Sequence, residues 1–246
     1  MNATLPENTV VATSWAEGNL LNYLAGVKTV TDPDHYIPHW VYLYYRYVFC
    51  AQSQREALEF LKTHEATHLM LMGHDVIAHS LNNSTIGSNA NNDRQFDIYP
   101  LWRVETPIGT PYRMRPQTTN VPLAFIDIAR ASPETLSITA QFSDQKQVET
   151  TVDTPTAEIS VSIENGGLLL NFDAETQIRG AYYVPPLGWN SLAVRLFYRG
   201  ELSNIFVPIY PTDATSASDL KIWEIHYPPD IKTDKKYLAT QPRATQ

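Results

Sequence analysis

The feature that most constrains the fold is a strand–helix–strand pattern near the amino terminus. A short, mostly apolar run at residues 9–12 is followed by a polar turn, and residues 27–31 predict a second strand. Gly26 predicts the end of the intervening helix, because glycine readily adopts the left-handed conformation found there. The apolar side of this predicted helix consists of Leu20, Leu21, Tyr23 and Leu24. Two strands joined by a helical crossover are expected to be parallel neighbours.

Polar residues follow both of these strands. Trp15, Glu17 and Gly18 come after the first strand, and Asp32 and His35 come after the second. The carboxyl ends of parallel strands share one edge of a sheet, and open α/β sheets bind their ligands at that edge. These five residues are therefore the candidate site.

The pattern continues through the first 80 residues. Ser53 and Glu56 have the spacing of a capping box, which predicts a helix starting at residue 54. The run from Thr67 to Met72 predicts a buried strand, which Gly73 ends. Strands that alternate with helices predict an α/β domain at residues 1–80, with a small, mainly parallel sheet and flanking helices.

The remainder of the chain has a different character. Residues 81–95 are rich in Asn and Ser, which predicts a linker or exposed loop. Residues 96–231 carry about eight short apolar or alternating runs separated by turn signals, among them a hairpin signal at Asn165-Gly166-Gly167. This part predicts an all-β domain, an antiparallel sandwich or barrel. Residues 232–246 are expected to be a polar tail.

Composition excludes several functions. The formal net charge of −8 argues against nucleic acid as a partner, because phosphate binding requires a basic face. The single cysteine, Cys50, excludes an internal disulfide framework and favours a buried thiol. There is no apolar run of membrane-spanning length, no signal peptide is recognisable, and the first strand starts abruptly, which suggests part of a longer protein.

Two groups of histidines are candidate metal sites. His64-Glu65-Ala66-Thr67-His68 matches the zinc-hydrolase pattern H-E-x-x-H, which requires both histidines on one face of a continuous helix. The helix from residue 54 should end near Thr63, so the match is expected to be accidental. His35 and His39 flank Pro38, which favours a structural turn. We therefore predict no metal site at either group.

The β-rich part offers a second kind of candidate site. Its arginines could form bidentate hydrogen bonds with an anionic or sugar ligand, although solvated strand edges explain them equally well. They are Arg103, Arg113, Arg115 and Arg130, near Trp102 and Tyr112. Five aromatic side chains could form a face on which a sugar ring stacks: Tyr182, Tyr183, Trp189, Tyr198 and Trp223. Most such aromatic side chains in a sandwich belong to the core.

The sequence S-W-A-E-G, followed by V-K-T-V-T-D-P-D-H and then SQREALEFLKTHEATHLMLM, resembles one known family. It is similar to the extracytoplasmic domain of the oligosaccharyltransferase catalytic subunit and related type C glycosyltransferases, in which a W-W-D-Y-G motif recognises the hydroxyl residue of the acceptor sequon. Trp15 matches the second tryptophan of that motif and Gly18 its glycine. Ser14, Ala16 and Glu17 replace the first tryptophan, the aspartate and the tyrosine.

The resemblance covers about the first 80 residues. It implies a membrane protein that uses a polyprenyl-phosphate-linked sugar donor, with the catalytic residues in a membrane part outside this chain. The chain itself is then expected to contain no catalytic residue, no metal site and no cofactor. The expected role is to bind or orient a peptide or glycan acceptor through Trp15, Glu17, Gly18, Asp32 and His35, on the extracytoplasmic side and tethered to the membrane-spanning part of the same polypeptide. The alternatives are a carbohydrate-binding module in the β-rich half and a zinc hydrolase that uses His64 and His68.

Overall fold

The structure is a computed structural model that describes residues 6, 8–31, 37–107, 109–153, 158–173, 175, 177–202, 204–212 and 218–241. The chain forms two compact units. The first contains Met1–Phe96 and Asn190–Gln246, and the second contains Asp97–Trp189.

The first unit begins with alternating strands and helices. Its early strands are β1 (Val10–Ala12), β2 (Lys28–Thr29) and β3 (His68–Met72). Its early helices are α1 (Trp15–Leu20), α2 (Pro38–Tyr44), α3 (Gln54–Thr63), α4 (Gly73–Val76) and α5 (Ser80–Ile86). Helices α1 and α2 continue as π-helical turns over Leu21–Ala25 and Tyr45–Phe49. The predicted capping box is confirmed, since Ser53 and Glu56 exchange hydrogen bonds with backbone N–H groups at the start of α3.

The second unit is built from strands. They are β4 (Tyr99–Arg103), β5 (Tyr112–Pro116), β6 (Leu123–Arg130), β7 (Thr135–Phe142), β8 (Gln147–Asp153), β9 (Glu158–Ile163), β10 (Gly166–Phe172) and β11 (Ile178–Val184). The short helix α6 (Pro186–Trp189) ends the unit. The chain then returns to the first unit with α7 (Leu192–Phe197), β12 (Phe206–Tyr210), β13 (Leu220–Ile225) and a 3-10 turn at Lys235–Leu238.

The sheet of the first unit has the strand order β12-β13-β3-β1-β2. Strand β1 pairs in parallel with both β2 and β3, as predicted for the first two. Strand β13 pairs antiparallel with β3, and β12 pairs antiparallel with β13. The sheet is therefore mixed rather than mainly parallel. The prediction missed this because the two antiparallel strands come from a segment more than 130 residues after β3.

The second unit is a single antiparallel sheet of eight strands in the order β8-β7-β6-β5-β4-β11-β10-β9. Leu136 on β7 and Phe172 on β10 border the same 530 Å³ cavity, although five strand-to-strand steps separate them in the sheet. Five steps would span about 24 Å in a flat sheet, so the sheet must curl into a barrel-like shape. The predicted all-β antiparallel architecture is present, and the predicted hairpin joins β9 to β10.

The structure divides the chain differently from the predicted boundaries at residues 80, 95 and 231. Residues 81–95 contain most of α5, and Asp93 and Arg94 form bidentate ion pairs with Arg46 and Glu56. This segment is thus bound to the first unit rather than being a free linker. Residues 190–231 also belong to the first unit, and the polar tail packs there through the buried Tyr237. Composition does not reveal these long-range contacts.

Candidate functional site

The carboxyl ends of three parallel strands lie at one edge of the first unit's sheet. We use the term carboxyl edge for residues 13–18 after β1, Thr31 after β2 and residues 73–79 after β3. The Thr31 hydroxyl donates to the Thr13 carbonyl at 2.8 Å, which joins the ends of β1 and β2 directly. The expected arrangement of the two neighbouring strand ends is therefore present.

Three of the predicted site residues lie on the first turns of α1. Ser14 occupies the N-cap in an extended conformation and accepts backbone hydrogen bonds from Glu17 at 3.2 Å and Gly18 at 3.1 Å. Trp15 and Glu17 are half-buried, and Gly18 is buried. Glu17 lies in the first helical turn, where a negative charge interacts favourably with the exposed N–H groups. Asp32 and His35 lie outside the described residues.

Two side chains at the carboxyl edge have unsatisfied hydroxyl groups. The hydroxyls of Thr13 and Ser14 are buried and form no hydrogen bond within the described part of the chain. The Ser14 hydroxyl also makes no side-chain capping bond to α1. A buried polar group without a partner costs about 1–3 kcal/mol, so such groups are uncommon and call for an explanation. A bound water or ligand would satisfy these two.

Most of the apolar side of the amino-terminal helix faces solvent. Tyr23 is 86% exposed and Leu24 is 74% exposed, and Leu20 beside them is also exposed. We call these three residues the Leu20–Leu24 patch. The fourth residue of the predicted apolar stripe, Leu21, packs against the core of the first unit, but the other three are not buried there. An apolar surface of this kind is typical of an interaction site.

The H-E-x-x-H match does not form a zinc-hydrolase site. Helix α3 ends at Thr63, Glu65 has a positive φ of 56°, and His68 begins β3. The Nε2 atom of His64 lies 3.1 Å from the Tyr237 carbonyl, whereas Nδ1 of His68 lies 2.8 Å from the Thr67 hydroxyl. The two histidines therefore lie on different elements and bond to different partners.

Burial of His64 makes stability depend on pH. Desolvation lowers the pKa of His64 from 6.5 to about 4, although the hydrogen bond to Tyr237 opposes this shift. The His64 imidazole therefore binds a proton more readily in the unfolded chain than in the folded protein. The contribution is complete above pH 6.5 and is lost as the pH falls from 6.5 towards 4.

The free energy of unfolding can be measured by urea denaturation at pH 7 and at pH 4.5. We expect His64→Gln to reduce the difference between the two values by about 2 kcal/mol. His226→Gln provides the control, because it removes a half-exposed imidazole rather than a buried one. Equal slopes in the wild type and His64→Gln would contradict the assignment.

The aromatic and arginine candidates differ in burial and in their hydrogen-bond partners. Tyr183, Trp189 and Trp223 are buried and cannot form a stacking face. Arg113 is bound to Asp127 by two hydrogen bonds of 2.7 and 2.6 Å. The exposed Trp102, in contrast, pairs across β4 and β5 with Arg115, and both line a groove of about 680 Å³.

Cys50 is a core thiol, as the sequence indicated. The side chain is completely buried, and burial raises the pKa of the thiol well above its ordinary value, so the reactive thiolate is disfavoured. Among the described residues, no helix has the length and apolar character needed to cross a bilayer.

One cluster was missed in the sequence. His74, Asp75 and His79 follow β3 at the carboxyl edge, and their side-chain ligand atoms all lie within 4.8 Å of one another. The spacing H-D-x-x-x-H is the signal that was present. It does not correspond to a common metal-binding pattern, and it becomes visible only when the backbone path is known.

No protein-family model matches the chain, and no curated protein is significantly similar to it. Several solved structures are similar, among them the following three. They are the C-terminal globular domain of an oligosaccharyltransferase from Archaeoglobus fulgidus (16% identity, TM-score 0.31), the C-terminal domain of PglB from C. jejuni (12%, 0.44) and the C-terminal globular domain of an oligosaccharyltransferase from Pyrococcus abyssi (11%, 0.41).

The alignments cover 37%, 90% and 91% of this chain, respectively. The same alignments cover 60%, 95% and 48% of the three solved structures. At these identities and TM-scores the likeness is too remote to transfer the role of any residue.

Proposed function

We propose that this chain is an accessory domain of an oligosaccharyltransferase-like membrane glycosyltransferase, in which it helps to bind or orient the acceptor. The domain is not catalytic by itself. It lies on the extracytoplasmic side and is tethered to the membrane-spanning part of the same polypeptide, which supplies the sugar donor site. The acceptor is a peptide or glycan that contacts Trp15 and Glu17, together with Asp32 and His35, which follow β2 in the sequence.

The observation that carries this proposal is the combination of two surfaces on one short segment. Residues 13–18 present a half-buried indole, a carboxylate and two unsatisfied hydroxyls at the carboxyl edge. Directly after them, the Leu20–Leu24 patch exposes apolar side chains. A polar binding edge beside an uncovered apolar helix suits a domain that holds a ligand against a larger apolar partner.

The proposed partner of the Leu20–Leu24 patch is the membrane-spanning part of the enzyme. Contact at the patch would place α1, and with it Trp15 and Glu17, next to the reacting groups. Positioning of this kind acts only when both parts are present. The chain by itself should accordingly bind the acceptor weakly and show no transfer activity.

The test is made in the complete membrane protein. We expect Trp15→Ala and Glu17→Gln each to raise the KM for the acceptor about tenfold, since loss of one anchoring contact costs about 1.4 kcal/mol. The matched control is Glu65→Gln, because Glu65 is an exposed carboxylate before β3, at the opposite edge of the same sheet. Transfer by the Trp15 and Glu17 variants at wild-type rates, with normal protein abundance, would remove the acceptor role.

A second candidate function is carbohydrate binding by the groove in the second unit. An exposed tryptophan beside an arginine is suited to stacking on a sugar ring and bonding to its hydroxyls, and Trp102 and Arg115 supply this pair. Trp102→Ala in the same assay distinguishes the two candidates. A KM raised by Trp102→Ala and left unchanged by Trp15→Ala would favour the groove.

A further inference from the structure

The segment that follows β3 brings together two imidazole rings and a carboxylate. The Oδ1 atom of Asp75 lies 3.5 Å from Nε2 of His74 and also 3.5 Å from Nδ1 of His79. These distances are longer than those of well-formed N–H···O hydrogen bonds. The three ligand atoms thus surround a space about as large as a metal ion.

The distances match zinc coordination. Zinc binds imidazole nitrogen and carboxylate oxygen at about 2.0–2.2 Å, so neighbouring ligand atoms in a tetrahedral site lie about 3.3–3.5 Å apart. The two measured separations of 3.5 Å agree with this value. Two imidazoles and one carboxylate also form a donor set that first-row transition metals prefer over Mg²⁺ or Ca²⁺.

The Asp75 carboxylate provides an independent indication of a bound cation. Asp75 is only 8% exposed, and its Oδ1 atom lies 3.5 Å from an imidazole nitrogen of each histidine. A buried carboxylate without a counter-charge is costly, so such groups are usually paired or bound to a metal. Among the described residues, the ion-pair partners of Asp75 are the two histidines themselves. An ion between the three side chains would neutralise the buried charge.

The backbone holds this segment in place. The Gly73 N–H donates to the backbone carbonyl of Asp219 at 2.7 Å, and the side-chain amide of Asn83 donates to the backbone carbonyl of Asp75 at 3.0 Å in a buried bond. The N–H groups of Ala78 and His79 both donate to the His74 carbonyl, at 2.8 and 3.0 Å. This tight turn brings the ring of His79 back beside His74, so the ligands are positioned before an ion binds.

We propose that His74, Asp75 and His79 form a binding site for a divalent transition-metal ion of the zinc class. Three protein ligands leave at least one coordination position for water or another ligand. Both histidine side chains are about half-exposed, so that position opens to solvent. The site lies at the carboxyl edge but does not depend on the acceptor-binding role.

The proposal is tested by titrating the untagged, chelator-treated full chain with Zn²⁺ in a calorimeter. The expected result is saturation at one ion per chain. His74→Ala and His79→Ala should each weaken Zn²⁺ binding more than about 100-fold. Removing a residue that only hydrogen-bonds to a metal ligand already lowers metal affinity about 10–100-fold, and these variants remove the ligand itself. Asp75→Asn should have the same effect.

The matched control is His226→Ala. His226 is half-exposed and lies 3.5 Å from Glu224, so it reproduces one imidazole–carboxylate pair of the cluster. This variant should bind Zn²⁺ as the wild type does. The absence of saturable binding, or equal weakening by His226→Ala and His79→Ala, would overturn the proposal.

A second measurement does not rely on variants. Adding Co²⁺ to the wild-type chain should produce a visible absorption band that Zn²⁺ displaces, because Co²⁺ accepts the same nitrogen and oxygen ligands. A Co²⁺ spectrum identical to that of the free ion in buffer would overturn the proposal even if a substituted chain failed to fold.

Discussion

Gly87→Ala is expected to lower the free energy of unfolding by about 3 kcal/mol. Gly87 follows α5 with an ordinary φ of −75°, so alanine can adopt its backbone conformation. The obstacle is space, because an added Cβ would lie 2.8 Å from the backbone carbon of Tyr45 and 2.9 Å from the nitrogen of Arg46. Backbone atoms within a helix cannot yield as the end of a side chain can, and α5 would have to move.

The contact between Gly87 and the Tyr45–Phe49 turn also positions nearby charged side chains. The Arg46 guanidinium donates to the Gly87 carbonyl at 3.1 Å and to both carboxylate oxygens of Asp93. This pairing lowers the pKa of the Asp93 carboxyl to about 2. Displacement of α5 would disturb these bonds as well, which adds to the loss of stability.

Chemical denaturation of the full chain measures the effect of Gly87→Ala, and Gly26→Ala is the control. Gly26 has a positive φ of 64° but nothing within 4 Å of its added Cβ, so alanine there should cost only about 1 kcal/mol through backbone strain. Equal losses at the two positions would show that the close approach between α5 and the Tyr45–Phe49 turn is absent.

Gly167→Ala is expected to destabilise the second unit by about 3 kcal/mol or more. Gly167 lies on β10 directly against the buried Trp189, and an added Cβ would lie 2.3 Å from the Cε3 atom of the indole. The indole ring would have to move away from β10. Helix α6, which ends at Trp189, would be displaced with it.

Hydrogen exchange of the β10 and β11 amides reports this change locally. Gly180→Ala is the matched control, because Gly180 lies on the adjacent strand β11 and its added Cβ would make only ordinary contacts, at 3.6 and 3.8 Å. We expect faster exchange in Gly167→Ala and unchanged exchange in Gly180→Ala. Protection of β10 at the wild-type level in Gly167→Ala would contradict the packing described for Trp189.

Features governed by short stretches of sequence could be predicted. The capping box at Ser53, the strand ending at Met72 and the parallel pairing of β1 with β2 all follow from residue spacing over fewer than about 25 residues. The helix end at Thr63, which separates the two histidines of the H-E-x-x-H match, is likewise a local property. The antiparallel character of the second unit follows from short strands and frequent turns.

The candidate site was only partly predictable. Trp15, Glu17 and Gly18 lie at the carboxyl edge, where the strand pattern places them. The outward-facing Leu20–Leu24 patch could not be predicted, because an apolar stripe looks the same in sequence whether the protein's own core or another surface covers it. The His74–Asp75–His79 cluster depends on a tight turn fixed by contacts with Asp219 and Asn83.

Local periodicity and turn chemistry thus determine which segments of this chain are helices and which are strands. Tertiary packing decides that β12 and β13 complete the first sheet, that residues 81–95 bind to the first unit, and that two histidines meet a buried aspartate. The physical reason is that distant segments pair only when the whole chain folds. Each strand or charged group can then pair only with the partners that other segments have not already taken. That competition involves all segments at once and leaves no trace in a short stretch of sequence.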